Sequence, residues 1–432
     1  MVRLVYLVID GVADRVSDGR TSLELAYKPN LDFLASRGVC GGMFTVGEGV
    51  APESDVAVFS ILGYDVEGVY TGRGPIEAVG AGLTFRGGFE VAFRANFATV
   101  DPDTLRIIDR RVGRSLSTGE ARGLARAVDG IELCVDGCYA RVVATVGHRA
   151  VVVIGCEGRV LSDYVENTDP AYVRRGKISV AVKDYEPYVR RSKPLSNTPE
   201  ARLTAKLVND FTVKAIEILD KHPINKERER RGLLKGNAIL LRDAGASLPK
   251  VRPINELFGV KFGAIAEMPV EIGIARVLGM EVANVPPPTP NKEQDYALRL
   301  EKTLELLKRV DVVYVHLKGP DEPAHDGNVE GKVRAIEDID KYFVGPLLNK
   351  VDLNEVAILV TSDHATPPSV KAHTDDPVPI ALVAPGVKPD PVKVFTEREC
   401  LSKGALGFLR HGYELLPKVI KAVFSGEPIV RG

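Results

Sequence analysis

Some residue types are scarce in this 432-residue chain, which has no tryptophan and only one glutamine, Gln294. Cysteine is also rare, and its five positions form an odd, scattered set: Cys40, Cys134, Cys138, Cys156 and Cys400. Such a set in a long chain argues against a disulfide framework and for a reducing compartment, so we expect a cytoplasmic location. We interpret Cys134 and Cys138 as small apolar side chains, because no second pair at zinc-ribbon spacing accompanies them. The shortage of glutamine favours a thermophilic source.

An excess of charge of either sign is also missing, since 57 Lys and Arg face 58 Asp and Glu, a formal net charge of −1. No global field would therefore draw the chain onto nucleic acid or an anionic membrane, and the charged run 226–231 is mixed in sign. We find no apolar run of 18 residues and no leader with a cleavage site, so we expect neither export nor membrane insertion. Gly72-Arg-Gly74 lacks the Lys-Ser/Thr of a P-loop, so nucleotide binding is not indicated.

Short β-branched runs that end in polar turns are the main secondary-structure signal. They are Leu4 to Ile9, Val310 to Val315 and Val356 to Val360, and helical patterns such as 291–309 and 329–348 lie between them. This βα alternation predicts an α/β fold with a doubly wound, mostly parallel sheet. Such sheets bind ligands beyond the carboxyl ends of their strands, where the polar turns would lie.

The middle of the chain differs in composition from both ends. Residues 142–154 form a long β-rich stretch, and 170–194 mixes short alternating runs with Pro, Arg and Lys. We expect hinges in the Gly-rich stretch 71–88 and in the charged turn 225–236. The sequence therefore predicts a catalytic domain of residues 1–92 plus 236–432, with a smaller inserted α+β domain at 93–235.

Carboxylates and imidazoles at metal-ligand spacing follow the predicted strands. Asp321 and His325 are four residues apart, which places both on one face of a helical turn. Asp363 and His364 follow a buried strand, and Asp10 ends the first strand. His373 adds another imidazole nine residues after His364. Each residue alone could be a helix cap or a buried polar group, but together they indicate a metal site.

A serine in the loop before an apolar helix is the candidate nucleophile. Ser54 precedes the run Val56 to Leu62, so simple helix capping is the alternative role. A hydroxyl at a helix N-terminus also lies where free N–H groups can hold a phosphate. Ser54 has no neighbouring histidine in the sequence that would indicate a Ser-His dyad. We therefore expect a metal ion to activate the hydroxyl.

The ordered set of these residues resembles the alkaline phosphatase superfamily, and most closely the archaeal-type cofactor-independent phosphoglycerate mutases. The resemblance extends over essentially the whole chain and includes Pro52-Glu-Ser-Asp55, Thr71-Gly-Arg-Gly-Pro-Ile-Glu-Ala78 and His373-Thr-Asp-Asp-Pro-Val-Pro379. It implies an alkaline-phosphatase-like fold and an enzyme that converts 3-phosphoglycerate to 2-phosphoglycerate, without 2,3-bisphosphoglycerate, in glycolysis and gluconeogenesis. Its binding partner would be the small-molecule substrate, phosphoglycerate. The sequence does not indicate an oligomeric state.

The resemblance also implies roles for individual residues. Ser54 would attack the phosphate and carry it as phosphoserine while the glycerate reorients. One divalent metal would be bound by Asp10, Ser54, Asp363 and His364, and a second by Asp321, His325 and His373. These mixed oxygen and nitrogen donors suit Mn²⁺, Zn²⁺, Co²⁺ or Mg²⁺, and ligand type does not choose among them.

The inserted domain would hold the glycerate, and here the chain departs from the bacterial-type enzymes. Their paired arginines after the insert are reduced to Arg242, for which a hinge salt bridge to Asp243 is the alternative role. Their lysine after an Ala-Glu-Thr-Glu motif has no counterpart at 264–268, and Lys318, three residues before Asp321, is our candidate to supply that charge and bind substrate. Arg94 and Arg111 are candidates for carboxylate binding, against ordinary surface charge. The catalytic base stays open.

Two other functions fit the same residues. A metal-dependent phosphatase, or a mutase for another phosphorylated metabolite, would need the same ligands, because the ligands define phosphoryl transfer and not the acceptor. A metal-stabilised binding protein without activity would be expected to lack the nucleophile or some ligands, yet Ser54 and the other six positions are all present.

Overall fold

A computed structural model of the chain describes residues 2–182 and 184–430. The chain folds as two compact units. The first combines the residues up to Val69 with those from Val251 onward, and the second is the continuous segment Tyr70–Lys250. No helix in the described ranges is both long enough and apolar enough to cross a lipid bilayer.

The first unit is built on an eight-stranded sheet. Its strands are β1 (Arg3–Ile9), β2 (Val39–Met43), β11 (Phe262–Ala266), β12 (Glu281–Asn284), β13 (Val312–Leu317), β14 (Val356–Thr361), β15 (Val378–Val383) and β16 (Gly407–Leu409). They are ordered β12-β11-β13-β1-β14-β15-β2-β16, and only β15 runs antiparallel to its neighbours. The predicted α/β class with a mostly parallel sheet is therefore confirmed.

Helices cover both faces of this sheet. They are α1 (Ser22–Leu25), α2 (Pro29–Arg37), α3 (Ser54–Ile61), α4 (Val66–Val69), α9 (Ile254–Phe258), α10 (Pro269–Val277), α11 (Lys292–Leu306), α12 (Asp321–His325), α13 (Val329–Ile339), α14 (Gly345–Leu348), α15 (Glu397–Lys403) and α16 (Leu415–Ser425). Leu7 and Val315 belong to a core with Leu31 and Ile336. On the opposite face, the Tyr6 hydroxyl donates to Ile61 O of α3. Burial on both faces explains why β1 reads as a continuous apolar run.

The second unit is an antiparallel sheet with helices. Its main strands are β3 (Glu90–Val100), β4 (Ile107–Asp109), β5 (Ile131–Glu132), β6 (Cys138–Ala144), β7 (Arg149–Cys156) and β10 (Ala238–Gly245), with a separate hairpin of β8 (Tyr172–Arg175) and β9 (Ile178–Ala181). Its helices are α5 (Arg73–Gly80), α6 (Thr118–Val128), α7 (Pro199–Asp220) and α8 (Pro223–Arg230). One sheet face packs Phe93 and Ile154 against Leu124 and Phe211 of α6 and α7.

The unit boundaries differ from those predicted, 92/93 and 235/236. They lie at 69/70 and 250/251, outside the predicted insert on both sides. The reason is that β10 pairs directly with β3 and that α5 packs tightly on both strands. A Cβ atom at Gly74 of α5 would lie 2.2 Å from Ala92 O and 2.7 Å from Asp243 O. Residues 70–92 and 236–250 therefore belong to the inserted fold.

The structure confirms that the stretch 142–154 is β-rich: it belongs to two antiparallel strands, β6 and β7, that turn near Gly147, where φ is 55°. The expectation for the cysteines is corrected. Cys138 is not a free apolar side chain, because it forms a disulfide with Cys156 in the neighbouring strand. Cys134, Cys40 and Cys400 are free thiols. The sequence count missed this bond because strand register, and not spacing, brings the two sulfurs together.

Candidate active site

Three neighbouring parallel strands of the first unit end side by side and carry the polar residues of the site. Asp10 follows β1, Asp363 and His364 follow β14, and the segment after β13 leads to Asp321 in α12. β1 lies between β13 and β14, with Ile9 opposite Leu317 and Val8 opposite Thr361. Parallel pairing therefore brings residues more than 300 positions apart to one edge of the sheet.

Gly11 allows the chain to turn sharply after Asp10. Its φ of 58° lies in the left-handed region, and a Cβ atom there would come within 2.7 Å of Asp321 Oδ1. The Gly11 amide also donates to Asp363 Oδ1 at 3.1 Å. A glycine is thus needed at this position both for the turn and for the close approach of Asp321 and Asp363 to the backbone.

The carboxylates of Asp10 and Asp363 each use one oxygen and leave the other without a hydrogen bond. Asp10 Oδ2 lies 3.2 Å from Lys318 Nζ, and Asp363 Oδ1 accepts from the amides of Gly11 and His364. Asp10 Oδ1 and Asp363 Oδ2 are buried and have no hydrogen-bond partner among the described residues. Buried anionic oxygens without donors are costly, so they fit a cation site.

His364 and Ser54 lie next to these two oxygens. His364 Nε2 is 3.4 Å from Asp10 Oδ1 and 3.3 Å from Asp363 Oδ2. Ser54 is the first residue of α3, and its Oγ lies 3.2 Å from the same nitrogen. Burial disfavours the charged His364, but the nearby aspartates outweigh it and raise the pKa of this imidazole. The hydroxyl predicted to be the nucleophile therefore lies among the predicted metal ligands.

Asp321, His325 and His373 form the second group. Their ligand atoms all lie within 4.8 Å of one another, with His325 Nε2 and His373 Nε2 each 3.5 Å from an Asp321 oxygen. The other ring nitrogens are held by carbonyls, His325 Nδ1 by Lys371 O and His373 Nδ1 by Pro52 O. Holding Nδ1 in this way directs Nε2 into the group, as is usual for metal-binding histidines.

Thr366 and Lys332 connect the two groups to the body of the unit. The Thr366 hydroxyl donates to Asp321 Oδ1 at 2.7 Å and lies 3.0 Å from His364 Nδ1. Lys332 of α13 is fully buried and donates to the carbonyls of Ala13 and Thr366 and to Asp14 Oδ1. These bonds hold the loops after β1 and β14 in place.

Three charged or titratable groups complete the site on the α10 side. Lys318 Nζ lies 2.7 Å from Glu271 Oε1 of α10 as well as near Asp10. Burial disfavours the ammonium, but Asp10 and Glu271 outweigh this and hold the pKa of Lys318 above its usual range. Burial likewise opposes a charged His316, yet Asp10 and Asp363 raise the pKa of His316 to about 9. Lys318 is therefore a fixed positive charge beside Asp10.

All seven sequence-predicted ligand positions of the first unit thus come together, whereas the sequence prediction omitted His316, Glu271 and Thr366. His316 escaped notice because the predicted strand ended at Val315, while β13 continues to Leu317. A search for imidazoles at the carboxyl ends of apolar strands would have found it. Glu271 gave no signal, since a carboxylate in the first turn of a helix is common.

The second unit carries an arginine cluster on one face of its sheet. Arg242 of β10 pairs in register with Arg94 of β3, and Arg149 of β7 pairs with Asn96, which follows Arg94 by two residues. Strand alternation therefore places these side chains on one face. Arg110 approaches from the β4 side and pairs with Asp169.

Positive charge exceeds negative charge in this cluster. Four arginines, at positions 73, 94, 110 and 242, pair with three carboxylates, Glu77, Asp169 and Asp243, and Arg149 adds a fifth guanidinium beside them. Burial and then the neighbouring arginines lower the pKa of Arg149 and bring the pKa of His148 to about 4. A partly buried excess of guanidinium groups favours binding of an anion such as a carboxylate.

The predicted arginines differ in their environments. Arg242 is buried, 3.2 Å from Asp169 and stacked on the Tyr172 ring, and it lies within β10 instead of at a hinge. Asp243 is the more distant carboxylate, at 3.7 Å. Arg94 has looser contacts, 3.6 Å to Glu77 and 3.9 Å to Asp243. Arg111 is exposed and lines a cavity of about 540 Å³ with Arg110 and Arg114.

Comparison with known proteins gives consistent matches. A model of the family "2,3-bisphosphoglycerate-independent phosphoglycerate mutase" matches residues 35–225. A protein of that name from Aeropyrum pernix is 51% identical, over 97% of this chain and 99% of its own length. The solved structure of a protein from Pyrococcus horikoshii is 29% identical, with a TM-score of 0.76 and coverage of 99% and 98%.

A second solved structure is the cofactor-independent phosphoglycerate mutase from Thermoplasma acidophilum. It is 32% identical with a TM-score of 0.61, and the match covers 98% of this chain and 99% of the other. Identity of this extent over nearly the full length, together with the fold, leads to one conclusion. The chain belongs to the family of 2,3-bisphosphoglycerate-independent phosphoglycerate mutases.

Proposed function

We propose that this chain interconverts 3-phosphoglycerate and 2-phosphoglycerate in glycolysis and gluconeogenesis, through a phosphoserine on Ser54 at a two-metal site. The observation that carries the proposal is the 3.2 Å distance from Ser54 Oγ to His364 Nε2, a nitrogen that lies 3.4 Å from Asp10 Oδ1 and 3.3 Å from Asp363 Oδ2. A hydroxyl that only capped a helix would not need these donors beside it.

The donor set fits two divalent cations. The orphaned oxygens of Asp10 and Asp363, with His364 and Ser54, would hold one, and Asp321, His325 and His373 the other. Bound there, the ions would lower the pKa of the Ser54 hydroxyl and neutralise the phosphate oxygens. Mn²⁺, Zn²⁺, Co²⁺ and Mg²⁺ all accept such ligands.

The proposed reaction consists of two phosphoryl transfers. Ser54 Oγ loses its proton and attacks phosphorus, the bond from phosphorus to O3 of the glycerate breaks, and O3 takes up a proton. After the glycerate turns, the O2 hydroxyl loses its proton and attacks the phosphoserine, the bond from phosphorus to Oγ breaks, and Oγ takes up a proton, which restores Ser54. The ammonium of Lys318, fixed by Glu271, adds positive charge beside the site for the phosphate oxygens.

The arginine cluster of the second unit would bind the carboxylate of the glycerate. Arg94 and Arg242 supply guanidinium groups there, and Arg111 lines the neighbouring cavity. A glycerate retained by this cluster can accept the phosphate again, whereas water would release it as inorganic phosphate. This role would distinguish a mutase from a phosphatase.

One assay tests the proposal directly. Purified protein should interconvert the two phosphoglycerates without 2,3-bisphosphoglycerate, lose activity in EDTA, and recover with Mn²⁺ or Co²⁺. Ser54→Ala should abolish turnover and leave the fold intact, while trapped wild-type enzyme should carry phosphate on Ser54. Release of inorganic phosphate without isomerisation would favour the phosphatase, and full activity after metal removal would refute the two-metal site.

A further inference from the structure

We infer that His316 is a further metal ligand, binding the same ion as Asp10 and Asp363. The inference rests on the proposed two-metal site and extends it, since neither the sequence motifs nor the family resemblance assigns a role to this histidine. It lies in β13, one residue before the strand ends.

The distances around His316 are those of a shared ligand sphere. Its Nε2 is 3.4 Å from Asp363 Oδ2 and 3.7 Å from Asp10 Oδ1, and the three ligand atoms all lie within 4.8 Å of one another. Donors roughly 2.1 Å from one ion, at angles of about 90–120°, are separated by about 3.0–3.6 Å. The observed separations need little adjustment to reach this range.

All three atoms also lack ordinary partners. His316 is 1% exposed, and its Nε2, Asp10 Oδ1 and Asp363 Oδ2 are buried without a hydrogen-bond partner in the described part of the chain. Three buried polar atoms without hydrogen-bond partners, close to one another, are costly to desolvate, and one shared cation would compensate this cost for all three.

The opposite side of the ring is held as metal-bound imidazoles commonly are. His316 Nδ1 lies 3.3 Å from the Tyr314 hydroxyl and 3.9 Å from Glu271 Oε1. With the proton on Nδ1 and directed to the Tyr314 oxygen, Nε2 would present its lone pair to the ion. Lys318, which contacts Asp10 Oδ2, leaves Oδ1 free for the same ion.

A protonated His316 that merely bridges the two aspartates is the competing explanation, and metal titration separates the two. Metal-stripped protein would be titrated with Co²⁺, following heat by calorimetry and the visible d–d absorption. For His316→Ala we expect affinity at one of the two sites to fall about 10- to 100-fold, with a changed spectrum. His364→Ala serves as the positive control, and His222→Ala, in the second unit, should bind like wild type.

The outcomes are distinct. Unchanged or tighter Co²⁺ binding by His316→Ala, with an unaltered spectrum, would overturn the inference. That is the result expected if His316 is a protonated imidazole that competes with the metal, because its removal cannot weaken metal binding. Absence of Co²⁺ binding by the wild type would instead overturn the two-metal site and this assignment with it. Circular dichroism of each stripped variant checks the fold, and His316→Asn, which retains a polar group near Tyr314, replaces the alanine variant if that one is unfolded.

Discussion

Glu397 is a fully buried carboxylate that stabilises the loop after β1. Its Oε1 accepts the Asp14 amide at 2.8 Å and its Oε2 accepts the Thr21 hydroxyl at 2.7 Å. Burial raises the pKa of Glu397 from 4.5 to about 7, and the two donors only partly offset this. Folding therefore favours the protonated form of this residue.

The pH dependence of stability follows from this shift. Between pH 4.5 and about 7 the folded chain holds a proton on Glu397 that the unfolded chain has lost, so stability falls as the pH rises through this window. Glu397→Gln keeps an acceptor for the Asp14 amide and does not titrate. In urea unfolding, the variant should gain stability relative to wild type across the window and remain more stable above it. Parallel curves for the two proteins would contradict the shift.

At the same scale, the sequence indicated the candidate nucleophile and metal ligands better than the residues that hold them in place. Asp10, Ser54 and Asp363 were recognisable because their residue types and order form a motif. Thr366 and Glu271 were not, because a threonine in a loop or a glutamate at a helix start has many ordinary roles. Their contacts depend on tertiary packing, which the local pattern does not contain.

The β6–β7 hairpin carries the disulfide that the sequence analysis did not predict. Both of its cysteines are buried, and they are opposite each other in the antiparallel register. Register depends on where the hairpin turns, and the sequence marks 142–154 only as one β-rich stretch because both strands are rich in valine.

The disulfide should contribute measurably to the stability of the second unit. Closing a loop of sequence separation 18 is worth about 3 kcal/mol in the chain-entropy account, which corresponds to roughly 6–12 °C in Tm. Reduction, or the double change Cys138→Ala and Cys156→Ala, should lower Tm by that amount in calorimetry. Cys134→Ala, which removes an exposed free thiol, is the matched control. Equal Tm values for oxidised and reduced wild type would show that the bond contributes nothing.

At the scale of the whole molecule, the sequence predicted a discontinuous catalytic domain interrupted by an insert. It placed both ends of the insert inside the segment Tyr70–Lys250 that forms the second unit. Composition marked the glycine-rich and charged stretches, yet α5 and β10 belong to the inserted fold through their packing on β3. The division of labour between a metal-binding unit and a glycerate-binding unit stays a prediction.

Arg94→Lys tests that division. Arg94 is only loosely paired, so its guanidinium is available to a carboxylate, and lysine keeps the charge but loses the bidentate geometry. We expect kcat/KM for 3-phosphoglycerate to fall at least about tenfold, or ~1.4 kcal/mol, with Tm near that of wild type. Arg126→Lys, an exposed arginine of α6, should behave as wild type.

Arg242→Lys should differ from Arg94→Lys in stability. Arg242 is buried between Asp169 and the Tyr172 ring, so lysine would disturb a packed network and lower Tm as well as activity. Wild-type turnover by Arg94→Lys would contradict the proposed carboxylate site and leave the cluster with a structural role only.

The discontinuous first unit also has a consequence for biosynthesis. In β1, Leu4 pairs with Val312 of β13 on one side and with Ala357 of β14 on the other. This strand therefore has no neighbours until most of the chain has left the ribosome. The inserted segment, by contrast, is continuous and can fold as soon as Lys250 has emerged. During synthesis the inserted unit can therefore fold first, while the apolar strands β1 and β2 are still unpaired and exposed. During that interval the nascent chain depends most on chaperones, and substitutions that slow closure of the parallel sheet would reduce yield more than they reduce the stability of the finished protein.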